Sequence, residues 1–440
     1  MKACWLHTLL IVLCCALGAC TDPADRKPVS LTMWHVYGSQ TSSPMNKLVE
    51  RFNNTVGKKQ NIRINVTSIS NSTAIHFSLV ATARDIPGEG IMPDMFVAYP
   101  KTALAIGPDR LADWKTLLGK EELEGFVPSF LEEGTINGQL LVLPIAKSTS
   151  ALFINATIFD KFARETGAGY DDLKTWEGVF KTAARYCDWS GGKAFFKYDD
   201  WLHYSMLNTV SLGGAFFAEN SINFDDQAFR KVWMPLAKEA LAGHVCLLDG
   251  YSTTALMTGE AVCGVESTAS ILYFNDKVTF ADNTTLPLRI AVLPVPHFDG
   301  AKPLAVQRGA GLIIQKSTPE KERACAVFAR WLTDTENNLP FAAEAGYLPV
   351  KKDAYGKRLQ DCVPEAKRQE YVMLYDTIAK IYAESTFYIP PYSENYGELE
   401  RRFCNAETEI FKKYRGRGAK DLSSDIFCPA MYEELRQGMN

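Results

Sequence analysis

The amino-acid sequence predicts an α/β protein of two lobes joined by three crossing segments. Length and composition give the first ground, since 440 residues with 47% hydrophobic content are too many for one ordinary core and apolar enough to fill two. The order of elements gives the second: through the first hundred residues, strand-length apolar runs alternate with helical stripes, the pattern of a parallel sheet covered on both faces. The third is the stretch 141–155, where two short apolar runs flank the polar step Lys147-Ser148-Thr149, so that one strand leaves the first lobe and another enters the second. Pro144 fixes its own φ and biases Leu143 toward extended geometry, which carries the chain across without a return to helix.

The first twenty residues stand outside this pattern. Lys2 is a thin positive start, and the apolar run 9–17 is too short to span a bilayer as a stable helix. Residues 1–19 therefore read as a leader and 20–28 as a polar tether. No later stretch is long and apolar enough for a transmembrane helix. The formal charge of −4, with basic and acidic residues mixed, leaves no basic field for nucleic acid. Of the eleven cysteines, Cys4, Cys14, Cys15 and Cys20 fall in the leader. The remaining seven have no CxxC spacing and few histidines near them, so no metal site is expected. In an exported chain Cys404 with Cys428, or Cys246 with Cys263, could pair, whereas an isolated cysteine is more often buried as a small hydrophobe.

Val29, Leu31 and Met33 alternate with Ser30 and Thr32 as a first strand that ends at Trp34-His35. Ser43-Pro44 opens a helix, Ser as N-cap and Pro at the first helical position, with Met45, Leu48, Val49 and Phe52 on one face. Ile62, Ile64 and Val66 mark a second strand, a helix runs through Ala83, and 93–99 is a buried strand ending in Tyr99. Helices are predicted over 156–166 and 176–186, with Asp199, Asp200 and Trp201 in an aromatic, polar loop. A helix follows around 229–241, a short one over 252–257, and a strand over 261–265 that delivers Glu266-Ser267-Thr268. Extended residues 288–296 precede the Gly-bearing passage Gln307-Arg308-Gly309-Ala310-Gly311, the second crossing, where backbone can approach a ligand. Ser317 to Pro319 cap a helix, and Tyr347-Leu348-Pro349-Val350 is the expected third crossing. The rest reads as charged helix broken at Pro390-Pro391.

Ligands of open α/β sheets bind beyond the carboxyl ends of the strands, which places Trp34, His35 and Tyr99 together at one rim. The polar step Lys147, Ser148 and Thr149, the loop residue Trp201, the strand-end pair Ser267 and Thr268, the crossing residues Arg308 and Gly309, and Tyr347 complete the candidate ligand set. Aromatic rings suit the apolar faces of sugars, while hydroxyls and an ammonium reach their edges. Asp199 with Asp200 or Glu266 is the acid pair a secreted hydrolase reading would put forward. Adjacent acids point in different directions, and no nucleophile elbow or metal motif accompanies them, so no enzyme, catalytic residue or cofactor is expected.

The chain resembles the extracellular solute-binding proteins of ABC importers, in the group that includes the maltose- and glycerol-3-phosphate-binding proteins. The landmarks are Trp34-His35, Arg51-Phe52-Asn53, Pro93-Asp94, Pro144 with residues 152–155, Thr175-Trp176-Glu177, Thr258-Gly259-Glu260-Ala261, Pro294-Val295-Pro296 and Gly346-Tyr347-Leu348-Pro349. Leu17-Gly18-Ala19-Cys20 resembles a bacterial lipobox, which implies a lipid on Cys20 and an extracytoplasmic chain tethered to a membrane without spanning it. The resemblance implies a two-lobed periplasmic-binding-protein (Venus flytrap) fold, with 29–146 plus 308–346 as lobe one and 147–307 plus 347–440 as lobe two. It also implies a monomer that closes by hinge rotation on a sugar, oligosaccharide or glycerol-3-phosphate-like solute and delivers it to permease subunits. Ser148, Trp201, Gly309 and Tyr347 fall where the glycerol-3-phosphate branch touches its ligand. Pro100, Tyr198 and Ser72 stand where that branch has glutamate, tryptophan and tyrosine, and its arginine near the C-terminus has no clear counterpart, so a neutral sugar fits at least as well as a phosphate. A ligand-loaded sensor feeding a membrane receptor would share the same fold and pocket.

Overall fold

A computed structural model describes residues 27–37, 43–88, 90–219, 221–363, 365, 368–415 and 424–439. The expected leader, Cys20 and most of the tether lie outside them. Strand β1 (Val29–His35) pairs in parallel with β2 (Ile62–Ser68) and β3 (Met95–Ala98). The helix Pro44–Phe52, α1, begins as the sequence predicts: Ser43 Oγ accepts the Asn46 N–H at 3.2 Å and the stripe Met45, Leu48, Val49 and Phe52 is buried. The second helix, α2 (Ser72–Ala83), is capped by Asn71, and α3 (Pro100–Ile106) starts directly after Tyr99. The short strand β4 (Leu143–Pro144) ends this lobe's first pass.

The chain then crosses. Strand β5 (Ser150–Asn155) is buried throughout and centres the second sheet. Helix α4 (Trp176–Ser190), strand β6 (Phe196–Tyr198), helices α5 (Trp201–Ser211), α6 (Gln227–Ala242) and α7 (Ser252–Thr258), and strands β7 (Cys263–Ser267) and β8 (Ile290–Leu293) complete the lobe. Its sheet order is β8-β5-β7-β6, with β7 and β8 antiparallel to β5 and β6 parallel to β7. After β9 (Leu304–Val306) the chain returns, and β10 (Gly311–Ile314) enters the first sheet antiparallel between β3 and β4, giving the order β2-β1-β3-β10-β4. The first sheet is therefore mixed, because β10 arrives from the second crossing and runs antiparallel to both of its neighbours.

Helices α8 (Pro319–Thr333) and α9 (Thr335–Glu344) cover the first sheet with Phe328 and Leu332. Residues beyond the expected third crossing stay on this lobe: the Val127 N–H donates to Val350 O at 3.1 Å, and Phe126 bridges Lys351. The passage to the second lobe comes with α10 (Arg368–Glu384), where Thr377 Oγ1 donates to Val292 O at 3.0 Å, so it falls later than 347–350. Strand β11 (Thr386–Tyr388) pairs with β9 in parallel, and helices α11 (Tyr396–Tyr414) and α12 (Ser424–Met439) pack on the second lobe. All seven cysteines outside the leader are free thiols in this structure, so neither of the two possible disulfide pairs is formed in it. Four of them, Cys246, Cys263, Cys325 and Cys428, are buried and follow the small-hydrophobe pattern. Among the described residues no helix is long and apolar enough to cross a membrane.

Candidate ligand-binding site

Three segments run side by side between the lobes. Ser148 and Arg308 exchange backbone hydrogen bonds, Ser148 N–H to Arg308 O at 2.8 Å and Arg308 N–H to Ser148 O at 2.7 Å, while the Lys147 N–H donates to Leu348 O at 3.0 Å. Gly309 closes this seam with φ 96°, and a Cβ there would sit 2.3 Å from Ala146 O. Only glycine combines that backbone angle with such an approach. Its N–H donates to the Tyr99 hydroxyl at 3.2 Å, which ties the rim of the first sheet to the second crossing.

In front of the seam a cavity of about 300 Å³ opens between the lobes. The first lobe lines it with the start of α2 at Asn71 and Thr73, with Tyr99 and with Lys101; the crossing supplies Gln307 and Arg308. The second lobe answers with Asp199, Asp200 and His203 after β6, with Tyr251 before α7, with Ser267 at the end of β7 and Ser270 beyond it, and with Tyr392 and Glu400 on the C-terminal segment. Both lobes thus meet across a polar space bordered by three tyrosine rings. Lys101 of the first lobe forms an ion pair with Glu400 of the second, and His76 on α2 packs against Gly397 on α11, whose added Cβ would fall 2.2 Å from His76 Nε2. The lobes are closed on each other.

Charge within the cavity is finely divided. Asp200 caps α5, accepting the His203 N–H at 3.1 Å, and its Oδ2 lies 2.5 Å from His203 Nδ1. Burial works against its charge, but His203 and then Arg308 outweigh burial and hold the carboxyl well below the usual range. Asp199 Oδ1 accepts both the N–H and the hydroxyl of Ser252, at 2.8 and 2.6 Å. Burial nevertheless pushes Asp199 up, and burial followed by the neighbouring Asp199 pushes Glu266 up further. The donor atoms of Asp200, His203 and Glu400 fall within 4.8 Å of one another, and there the Lys101 ammonium serves as the counter-charge.

Of the candidate ligand residues, Tyr99, Ser267 and Arg308 line this cavity. Ser148 lies just behind it, its hydroxyl accepting from Ser267 Oγ at 3.1 Å. Seven others are committed elsewhere. His35 is fully buried at the far side of its strand, with Nε2 2.8 Å from Asn46 Oδ1. Trp34, on the opposite face, packs on the cluster of Ile75 and Leu79. Trp201 is no loop residue: it opens α5 and its ring sits among Tyr198, Tyr204 and Phe411 in the second core. Lys147 is buried in an ion pair with Glu133 and also donates to Gly309 O at 3.3 Å. The Thr149 hydroxyl donates to Val306 O at 3.0 Å and its N–H donates to Thr268 Oγ1 at 3.4 Å, so both threonines join crossing to sheet. Tyr347 stacks on Phe341 with ring centroids 6.4 Å apart, behind the seam.

Residues 47–363 match the family described as bacterial extracellular solute-binding protein. The chain belongs to this family. The match covers more than half of its length and carries an extracytoplasmic setting with it. Solved structures similar to this solute-binding chain agree in fold. The maltose-bound MalE3 of T. maritima is 18% identical, with a TM-score of 0.67 over 93% of this chain and 99% of that one. UgpB from Mycobacterium tuberculosis, in complex with glycerophosphocholine, is 18% identical, with a TM-score of 0.68 over 94% and 98%. The cyclic alpha-maltosyl-1,6-maltose binding protein from Arthrobacter globiformis is 17% identical, with a TM-score of 0.65 over 94% and 99%. At these identities the likeness is one of fold. Comparison with curated protein sequences gives no match.

Sequence reasoning missed Lys101, His203, Tyr251 and Glu400 of this solute-binding chain. Tyr251 had a usable signal, a large ring just ahead of a helix start, and it is 58% exposed at the cavity edge. Glu400 had none, because a charged helix such as α11 reads as a solvated face.

Proposed function

We propose that this protein captures a sugar, an oligosaccharide or a glycerol-3-phosphate-like solute between its two lobes and hands it to ABC permease subunits, acting as a monomer without chemistry of its own. The observation that carries this reading is the polar cavity shared by both lobes, with Tyr99 on one side, Tyr251 on the other and Arg308 on the crossing behind them. Tyrosine rings accept the apolar faces of a polyol while carboxylates, hydroxyls and a guanidinium reach its edges. A solute touching both walls binds the closed form better than the open one and shifts the population by that difference alone. The names of the similar structures, which mention maltose and glycerophosphocholine, support the same solute classes. Lipidation at Cys20 would keep the protein beside the permease, since a single anchor tethers without spanning.

Thermal stabilisation of the purified protein tests the reading across glycerol-3-phosphate, glycerophosphodiesters, maltose, longer malto-, xylo- and galacto-oligosaccharides and simple polyols. A solute at about a thousand times its dissociation constant adds roughly 4 kcal/mol to unfolding, a shift of several degrees. Stabilisation by one class, lost in Tyr99→Ala, is expected. Stabilisation that survives changes on both walls of the cavity overturns the reading.

A further inference from the structure

We propose that the captured solute carries an oxyanion, a phosphate or a carboxylate, and that Arg308 receives it. The inference deepens the solute-capture reading and rests on it. Its ground is a hydrogen-bond account of the charged groups that line the interlobe cavity. Lys101 is paired with Glu400, and Arg401 is held by both oxygens of Glu398, its Nε at 3.0 Å. Asp200 is satisfied by His203 and by its place at the start of α5. Asp199 takes two donors from Ser252. Arg308 alone is left with donors to give: its guanidinium makes one long contact, Nη1 to Ser150 Oγ at 3.5 Å, and forms no ion pair with any described carboxylate.

Geometry makes that opening specific. The Arg308 backbone is locked on both sides, by the paired hydrogen bonds to Ser148 and by the close approach of Gly309 to Ala146. The guanidinium therefore projects from the part of the molecule that both lobes share, so an anion held there sits on the hinge axis while the remainder of the solute meets the two walls. A guanidinium presents five donors in a planar fork that matches a carboxylate or phosphate edge with two parallel bonds. Partial burial makes unmade bonds costly. Nearby carboxylates do not close the site to an anion: Asp200 is already engaged by His203, its Oδ1 accepting the backbone N–H and its Oδ2 lying 2.5 Å from Nδ1, and burial raises the Asp199 carboxyl toward its neutral form.

Matched pairs of probes decide the matter by calorimetry on the purified protein: glycerol against glycerol-3-phosphate, glucose against glucose-6-phosphate and against glucuronate, with inorganic phosphate alone as a further probe. Wild type, Arg308→Gln and Arg308→Lys are compared, after unfolding midpoints confirm that each variant is folded. At least one acidic member is expected to bind on the order of 30-fold more tightly than its neutral partner, with Arg308→Gln removing that advantage and Arg308→Lys restoring part of it, as for a charge-assisted bidentate contact. Preference for phosphorylated or for carboxylated members tells the two anion sources apart. Neutral members binding as tightly as acidic ones, or acidic binding that survives Arg308→Gln, overturns the proposal while leaving solute capture standing. Absence of binding by every acidic member overturns it as well, and the neutral members then report separately on solute capture.

Discussion

Lys147 offers the sharpest separation of a structural role from a binding one. Its polar position at the first crossing invites a ligand contact, yet its side chain is only 4% exposed and its ammonium is bonded to Glu133, whose side chain is 1% exposed. Lys147 bonds Glu133 Oε2, Oε1 has no hydrogen-bond partner among the described residues, and the Gln307 amide, oriented to donate, reaches only Oε2 at 3.2 Å. Lys147→Met fills the same volume and strands a buried carboxylate. Removing one partner of a buried pair costs about 3–5 kcal/mol, whereas replacing both with apolar groups is often neutral. Urea unfolding of Lys147→Met, Glu133→Leu and the double variant measures the coupling as a double-mutant cycle. Each single variant is expected to lose that amount and the double variant to recover most of it. A Lys147→Met protein as stable as wild type, but weakened for its solute, would refute the structural assignment.

Further expectations rest on the seam and on the closed cleft. Gly309→Ala forces a Cβ against the Ala146 carbonyl at φ 96° and should cost about 2–4 kcal/mol, read as a lower unfolding midpoint; an unchanged midpoint would contradict the close approach. Burial, then Lys101 and Arg84, lower His76 to about 4 against an opposing Glu398, and its Nδ1 lies 2.9 Å from Thr102 Oγ1. The unfolded chain therefore binds the proton first as pH falls, and stability drops between pH 6.5 and about 4 by at most about 3 kcal/mol. His76→Gln should flatten that slope in pH-dependent unfolding, and an unaltered slope would rule His76 out. Glu407 is fully buried and pushed up by burial, with Oε1 accepting from Trp233 Nε1 at 2.6 Å. Its neutral form suits the folded state, so stability contributed there is present below the ordinary glutamate range and declines above it. Glu407→Gln should thus match wild type at low pH and exceed it at pH 8, and a large loss at both would contradict a neutral carboxyl.

Much of the fold is legible because local signals and burial agree. Ser43-Pro44 and the stripe behind it specify α1 without help from elsewhere, and the alternation in 29–35 fixes which side chains of β1 face the core. The first crossing leaves a local signal too, since a proline such as Pro144 between two apolar runs favours extended chain. The cavity is less legible. A strand end tells that Trp34, His35 and Tyr99 lie at one rim, but neighbouring side chains point to opposite faces, so only Tyr99 reaches the cavity while His35 turns to Asn46. Asp200 and Trp201 look like loop residues until the capping bond to His203 makes them the start of a helix. Lys101 meets Glu400 only when the lobes close, and no local pattern records that encounter. The expected third crossing at 347–350 misled for a similar reason: its bridge to Lys147 marks the hinge, while the residues after it are drawn back to the first lobe by Phe126 and Val127.

A crystal structure of the protein with whichever solute stabilises it addresses the central claim most directly. The account predicts solute atoms between Tyr99 and Tyr251, within hydrogen-bond reach of Arg308 and in contact with both lobes. Solute bound to one lobe alone, or lodged behind the hinge in the smaller cavity lined by Thr149, Leu304 and Ile381, would contradict it.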